Sequence, residues 1–473
     1  MALTLNETDV KLNNTFNPML KDLQGNILKH HGRTHAFHLF FVIKPGKKTA
    51  ARQWLKKFAT EKITSSFKQL DDSVKFRAAK AAGNEFDGGL FFNVSLSNTG
   101  YKKLGVAPAI IPDNNAFRQG MRNRKVNNKN ILADTPNSWE TGFKNQIDGM
   151  VLIADAQISR ITDEKDKTVT ALKKFADVVV VQKGKILRNE HGIGIEHFGY
   201  ADGVSQPNYL DPDPAPAPTQ WDDNHAVLKN VLVKDKGGAT VDSFGSYFVF
   251  RKLDQNVVAF KTTEKTISEK FNNKKGIKDE NGNPNDELAG SMIVGRFENG
   301  TEVVNHSIEQ PILTGSDLFN DFDYRDDKLA KKCPFHAHIR ITNPRADVGQ
   351  DFAKLKRITR RGIPYNDIGR DEFNLDDDQP AGGVGLLFMC YNSSIEGQFE
   401  FIQSTWANQG NIGGHFVGQD PTIGQGPNNT DKFLPNEWNT SNGLKSVKEF
   451  HGFVTNKGGE YFFTPSISFL KSL

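Results

Sequence analysis

Apolar residues along the chain fall into short runs, and the runs carry two different periods. Residues 35–43 (HAFHLFFVI), 150–154 (MVLIA) and 178–181 (VVVV) are dense in aromatic and β-branched side chains, which predicts strands. Residues 245–250, 292–294, 385–391 and 460–469 read the same way. Residues 50–58 and 166–175 instead place apolar side chains three and four apart, the spacing of an amphipathic helix. Strands and helices alternate irregularly, and no glycine-rich turn joins a strand to a helix. The pattern therefore predicts an α+β fold with antiparallel sheets rather than a doubly wound parallel sheet.

Two segments interrupt the pattern. Residues 211–219 (DPDPAPAPT) carry proline at alternate positions, which excludes helix interior and ladder pairing and predicts an exposed, extended linker. Residues 272–285 are rich in Lys, Asn, Gly and Asp and predict a surface loop. At 473 residues the chain exceeds one ordinary core. A division near the proline segment gives halves 1–215 and 216–473, with no sequence repeat between them.

Composition narrows the function classes. With 37% hydrophobic and 25% charged residues the chain is that of a globular protein, and no apolar run is long enough to span a membrane. The first 30 residues lack a basic segment followed by an apolar one, and only two cysteines, Cys333 and Cys390, are present. Both features lead us to expect a cytoplasmic protein. Sixty basic residues against 56 acidic ones leave a net charge of +4, with the basic residues scattered, so a nucleic-acid partner is not expected.

Two segments hold candidate chemistry. Residues 332–345 read KCPFHAHIRITNPR, and on a strand His336 and His338 would face one side. Closed zinc would need further ligands that the remaining histidines do not supply at metal spacing. A single axial histidine on haem needs no such partner, because the porphyrin supplies the other ligands. Residues 197–207 read HFGYADGVSQP, and Asp202 sits there between small residues. Glycines in such a segment permit tight turns and close backbone approach to a flat ligand. Taken singly, either segment also reads as ordinary structure, a strand histidine or a turn aspartate.

Their order along the chain adds a resemblance. The G-x-x-D-G run from Gly199 to Gly203 is similar to the signature of dye-decolorising peroxidases. The C-P-F-x-A-H-I-R-x-x-N-P-R run from Cys333 resembles that family's proximal-histidine segment. The R-R-G-x-x-Y run from Arg360 and the G-L-L-F run from Gly385 resemble its distal-arginine and haem-pocket segments. D-L-Q-G-N-I-L from Asp22, V-G-R-F from Val294 and the C-terminal G-E-Y-F-F-T-P extend the similarity over nearly the whole chain.

The resemblance implies two ferredoxin-like halves enclosing one haem b, held mostly by the C-terminal half. It implies a peroxidase that reduces hydrogen peroxide and oxidises organic donors such as dyes and phenolics in one-electron steps. It selects His338 over His336 as the iron ligand, Asp202 as the proton shuttle and Arg360 as its cationic partner, with Arg361 the rival. Leu386 and Phe388, two apart on a strand, would line the distal pocket. Gly203 belongs to the cofactor-binding turn, Arg345 is expected at a propionate, and His197 at a propionate or pocket wall. Glu400 is offered as acceptor of the proximal imidazole N–H. A homodimer or larger oligomer is open. Two other readings stand beside this one: a haem carrier or haem-deferrating protein on the same fold, and a non-haem α+β binding module.

Overall fold

The computed structural model describes residues 3–210, 226–271, 276–311, 320, 322–427 and 430–473. Eight main strands form one antiparallel sheet. We label them β1 (His35–Ile43), β2 (Phe91–Leu96), β3 (Gly149–Asp155), β4 (Ala176–Lys185), β5 (Phe244–Gln255), β6 (Ile363–Asn366), β7 (Val384–Asn392) and β8 (Val454–Thr464). Their spatial order is β4-β1-β3-β2-β8-β5-β7-β6. Within each half the fourth strand lies beside the first, then the third, then the second, so the two halves repeat one ferredoxin-like topology. The sheet closes into a barrel where β4 meets β6. Gly184 of β4 permits that contact, since a Cβ there would lie 2.6 Å from a methyl of Ile363.

The halves join at a narrow seam. One register pair, Leu96 with Phe463, links β2 to β8. Gln24 reinforces it: its amide N–H donates to the carbonyls of Val94 (2.9 Å) and Pro465 (2.8 Å), and its Oε1 accepts from Val94 N–H (2.8 Å). The D-L-Q-G-N segment is thus a buried staple between halves, which explains polar residues in an otherwise apolar surrounding. One apolar cluster fills the barrel and covers Leu39, Val151, Phe250, Leu387 and Phe462. A second lies beside it around Phe260, Met292 and Phe297.

Several sequence expectations hold and others do not. β1 spans the residues expected, and 150–154, 178–181, 245–250 and 385–391 fall inside β3, β4, β5 and β7. Residues 50–58 lie inside the helix Lys48–Glu61. The helix expected at 166–175 runs instead from Ile158 to Leu172. Residues 292–294 were expected as a strand but belong to the helix Leu288–Val294, all of whose residues are buried. A helix apolar on every side has no polar face to reveal its period. The strand expected at 460–469 ends at Thr464, where Pro465 stops the ladder and Ser466 caps the helix Ile467–Ser472 by accepting from Phe469 N–H. The loop expected at 272–285 contains a small hairpin pairing Ile277–Lys278 with Pro284–Asn285. The proline segment 211–219 lies outside the described residues. Among the described residues, no helix is long and apolar enough to cross a membrane.

Candidate active site

One cavity of about 270 Å³ lies against the outer face of the C-terminal strands. Arg251, Leu253 and Gln255 of β5 and Leu386 and Phe388 of β7 point into it. The alternation along β7 is the reason: Leu387, Met389 and Tyr391 enter the barrel core, so residues 386 and 388 face the other way. Register pairs Leu386 with Leu253 and Phe388 with Arg251, which merges the two strands into one wall. The remaining boundary comes from residues 198–207, the helix His338–Thr342 and its flank, and the turn around Ile423.

Asp202 and Arg360 meet at one side of the cavity. Arg360 Nη1 donates to Asp202 Oδ1 at 2.8 Å, and Gly203 N–H donates to the same oxygen at 2.7 Å. Gly203 has φ +82°, a backbone state that glycine adopts without strain, so the aspartate can be followed at once by a turn that aims its own N–H at the carboxylate. Arg360 is itself held, since its Nη2 donates to Ser205 O (3.1 Å) and its backbone N–H to Gln206 Oε1 (3.1 Å). Arg361 faces away. Its guanidinium donates to the carbonyls of Asn26 (2.6 Å), Ile27 (2.9 Å) and Arg360 (2.7 Å), and burial lowers its pKa to about 10.

His338 also lines the cavity, at the start of a short helix. The segment is folded by buried charge: Arg340 pairs with Asp327 (2.9 Å) and Asp347 (2.7 Å) and donates to Cys333 O. Those contacts prevail over the alternation of His336 and His338. Only His338 lines the cavity; His336 is buried outside it. His338 Nδ1–H donates to Asp420 at 2.9 Å, and among the described residues Nε2 makes no hydrogen bond. Burial pulls the imidazole pKa down, but the charge and hydrogen bond of Asp420 outweigh it and raise the value. Asp420 is held in turn by the N–H groups of Thr422 (2.7 Å) and Ile423 (2.9 Å).

Two expected contacts are corrected. Glu400 is not the partner of His338; it forms a buried bidentate pair with Arg124 (2.7 and 2.8 Å) and accepts from Tyr461 OH (2.9 Å). Asp420, which sequence reasoning passed over, takes that place; it sits in an unremarkable Gly-Gln-Asp-Pro run with no local motif. His197 does not line the cavity. Its Nε2 bonds Tyr365 O (2.8 Å), its Nδ1 accepts from Arg370 (3.0 Å), and burial lowers its pKa to about 4. Arg345 does reach the cavity edge, but it also donates to Asn320 O (2.8 Å), Asn320 Oδ1 (2.6 Å) and Phe322 O. Arg296 joins it at Asn320 Oδ1 (3.1 Å), which puts two cations at that edge.

These residues suit a flat, largely apolar anion with a metal at its centre. Leu386, Phe388, Ile339 and Ile402 supply apolar walls, the edge is cationic, and an imidazole nitrogen without a hydrogen bond belongs to a ring at the wall.

Comparison with known proteins gives this geometry a family. Residues 22–187 match the DyP dimeric alpha+beta barrel domain, and residues 218–417 match the Dyp-type peroxidase C-terminal domain. The multifunctional dye peroxidase DyP2 of Amycolatopsis sp. is 38% identical over 96% of this chain and 96% of its own. The dye-decolorizing peroxidase msp1 of Mycetinis scorodonius is 28% identical over 96% of this chain and 87% of its own. The crystal structure of the Anabaena sp. DyP-type peroxidase superposes with a TM-score of 0.87 at 38% identity, covering 99% of this chain and 97% of the other. The order of motifs, the doubled barrel topology and these matches agree, and the chain belongs to the DyP-type peroxidase family as an enzyme of that kind.

Proposed function

We propose that the cavity holds one haem b per chain, with His338 Nε2 as its iron ligand, and that Asp202 and Arg360 serve the reaction with hydrogen peroxide. Haem bound there would supply the redox-active iron, which peroxide oxidises and organic donors such as dyes and phenolics reduce in one-electron steps. The observation that carries this reading is the placing of an imidazole and an arginine-paired carboxylate on one cavity.

Each residue then has a task. Asp202 takes a proton from one peroxide oxygen and returns it to the other, so that the O–O bond breaks with water as leaving group. Arg360 holds and orients the Asp202 carboxylate for the first transfer and stabilises negative charge on oxygen during the second. Leu386 and Phe388 restrict the space above that pair and exclude water from it. Asp420 fixes the tautomer and orientation of His338 and raises its basicity as a ligand. Arg345 and Arg296 neutralise propionate charge at the cavity edge, Arg345 while keeping its carbonyl partners.

A haem carrier or deferrating protein would need the His338 side alone. The Asp202–Arg360 pair, with Ser205 and Gln206 holding it, favours the peroxidase. The test is spectroscopic. Purified protein loaded with haem should show a Soret band that changes on adding peroxide and returns on adding a phenol or dye. A protein that retains no haem, or whose band ignores peroxide, contradicts the reading.

A further inference from the structure

We infer that Glu196 is a positioning residue for Asp202, acting with Gln255 to fix the turn that carries the carboxylate. This rests on the proposed role of Asp202. Glu196 lies six positions before Asp202, at the edge of the same cavity, and its carboxylate is turned inward to its own loop. Its Oε2 accepts from Phe198 N–H (2.9 Å) and its Oε1 from Tyr200 N–H (3.1 Å). Gln255, reaching from β5, donates its amide to the same carboxylate. The loop closes further through main-chain bonds: Glu196 N–H to Tyr200 O (3.1 Å) and Gly199 N–H to Glu196 O (3.0 Å). One side chain therefore satisfies two backbone donors of a tight turn and ties it to the cavity wall.

The consequence reaches Asp202 through two residues of chain. Ala201 and Asp202 are already held by backbone bonds to Glu298 O (2.9 Å) and Gly194 O (3.0 Å). The position of residue 200 sets the direction in which the chain enters them. Without the Glu196 carboxylate, the amides of Phe198 and Tyr200 lose their acceptor in a buried site, and the turn must open or rotate to find water. A shift of about 1 Å in a reacting group can cost about 100-fold in rate. Burial pushes the Glu196 carboxyl up to about 7, with the three hydrogen bonds opposing it. That position is expensive for a carboxylate and is kept only where its contacts are used.

The test is a double-mutant cycle on haem-loaded full-length enzyme, read as the second-order rate of the peroxide reaction. Glu196→Ala should lower that rate about 10- to 100-fold, with the KM for a bulky dye unchanged. In an Asp202→Asn background the same substitution should change the rate less than about twofold, because the two act through one group. Hydrogen exchange followed by mass spectrometry should show faster exchange across residues 196–203 and not in the barrel strands. Gln255→Met, which removes one arm only, should give a smaller loss of the same kind, and it carries the test if Glu196→Ala does not fold. Equal factors in both backgrounds, or no loss in either variant, overturn the positioning role while leaving Asp202 as the shuttle. An Asp202→Asn enzyme as fast as wild type overturns both.

Discussion

Arg360 and Asp202, 158 residues apart in sequence, form an ion pair at 2.8 Å, each side chain about three-tenths exposed. An ion pair with that access to solvent contributes at most about 1 kcal/mol to stability. Its value therefore lies in what the pair does at the cavity. Arg361, next in sequence, is buried and bonded to three carbonyls, so its value is structural.

Substitution at the two arginines should separate these roles. Arg360→Ala is expected to slow the peroxide reaction about 100- to 1000-fold while changing unfolding free energy by less than about 1 kcal/mol. Arg361→Ala should cost about 2 to 4 kcal/mol by leaving the carbonyls of Asn26 and Ile27 unpaired. Stopped-flow kinetics and denaturant unfolding on each variant measure both quantities. A reversal of the pattern would exchange their assignments.

Asp420 should control the iron through His338. Asp420→Asn leaves a weaker acceptor for Nδ1–H, so the ligand becomes less basic, the ferric state loses stabilisation and the midpoint potential rises. Haem affinity or activity should fall about 10- to 100-fold. Glu400→Gln is the control. It should leave the potential unchanged but destabilise the fold by about 1 to 3 kcal/mol, because buried Arg124 then keeps only the more exposed Glu396 as a charged partner. Spectroelectrochemical titration distinguishes the two carboxylates.

Acid sensitivity should have a source remote from the cavity. His38 on β1 is fully buried, and burial lowers its pKa to about 4. Its folded value is below the unfolded one, so both states are neutral above pH of about 6.5 and nothing is lost there. As pH falls from that point toward 4, the unfolded chain binds a proton that the folded chain refuses, and stability declines by up to about 1.4 kcal/mol per pH unit. Replacing His38 with Leu removes this contribution. The variant should gain about 2 kcal/mol on wild type between pH 7 and pH 5. A constant difference in denaturation midpoints over that range would exclude His38 as the source.

How much of this was legible in the sequence depended on where the determining contacts lie. The strands of the barrel announce themselves because β-branched and aromatic runs such as VVVV at 178–181 suit few other structures. Asp202, Arg360 and His338 were reached only through the order of their motifs, since each alone reads as a turn, a loop or a strand residue. Asp420 was beyond reach: its partner is 82 residues away and its own turn carries no mark. The same holds for Glu196, whose contacts are with backbone N–H groups that a sequence does not display. His197 misled because a histidine beside a glycine-rich turn suggests a ligand, whereas Arg370 and the Tyr365 carbonyl occupy both its nitrogens. Closure of the barrel, where Gly184 of β4 meets Ile363 of β6, joins residues that no local pattern connects.

The central claim is that Asp202 moves the proton during peroxide cleavage while His338 holds the iron. Rapid mixing of ferric haem-loaded enzyme with one equivalent of hydrogen peroxide, followed at the Soret band, tests it most directly when wild type and Asp202→Asn are compared at equal haem content. The account predicts that the variant keeps its resting spectrum and reacts at least about 100-fold more slowly. An Asp202→Asn enzyme with full haem that reacts as fast as wild type would contradict it.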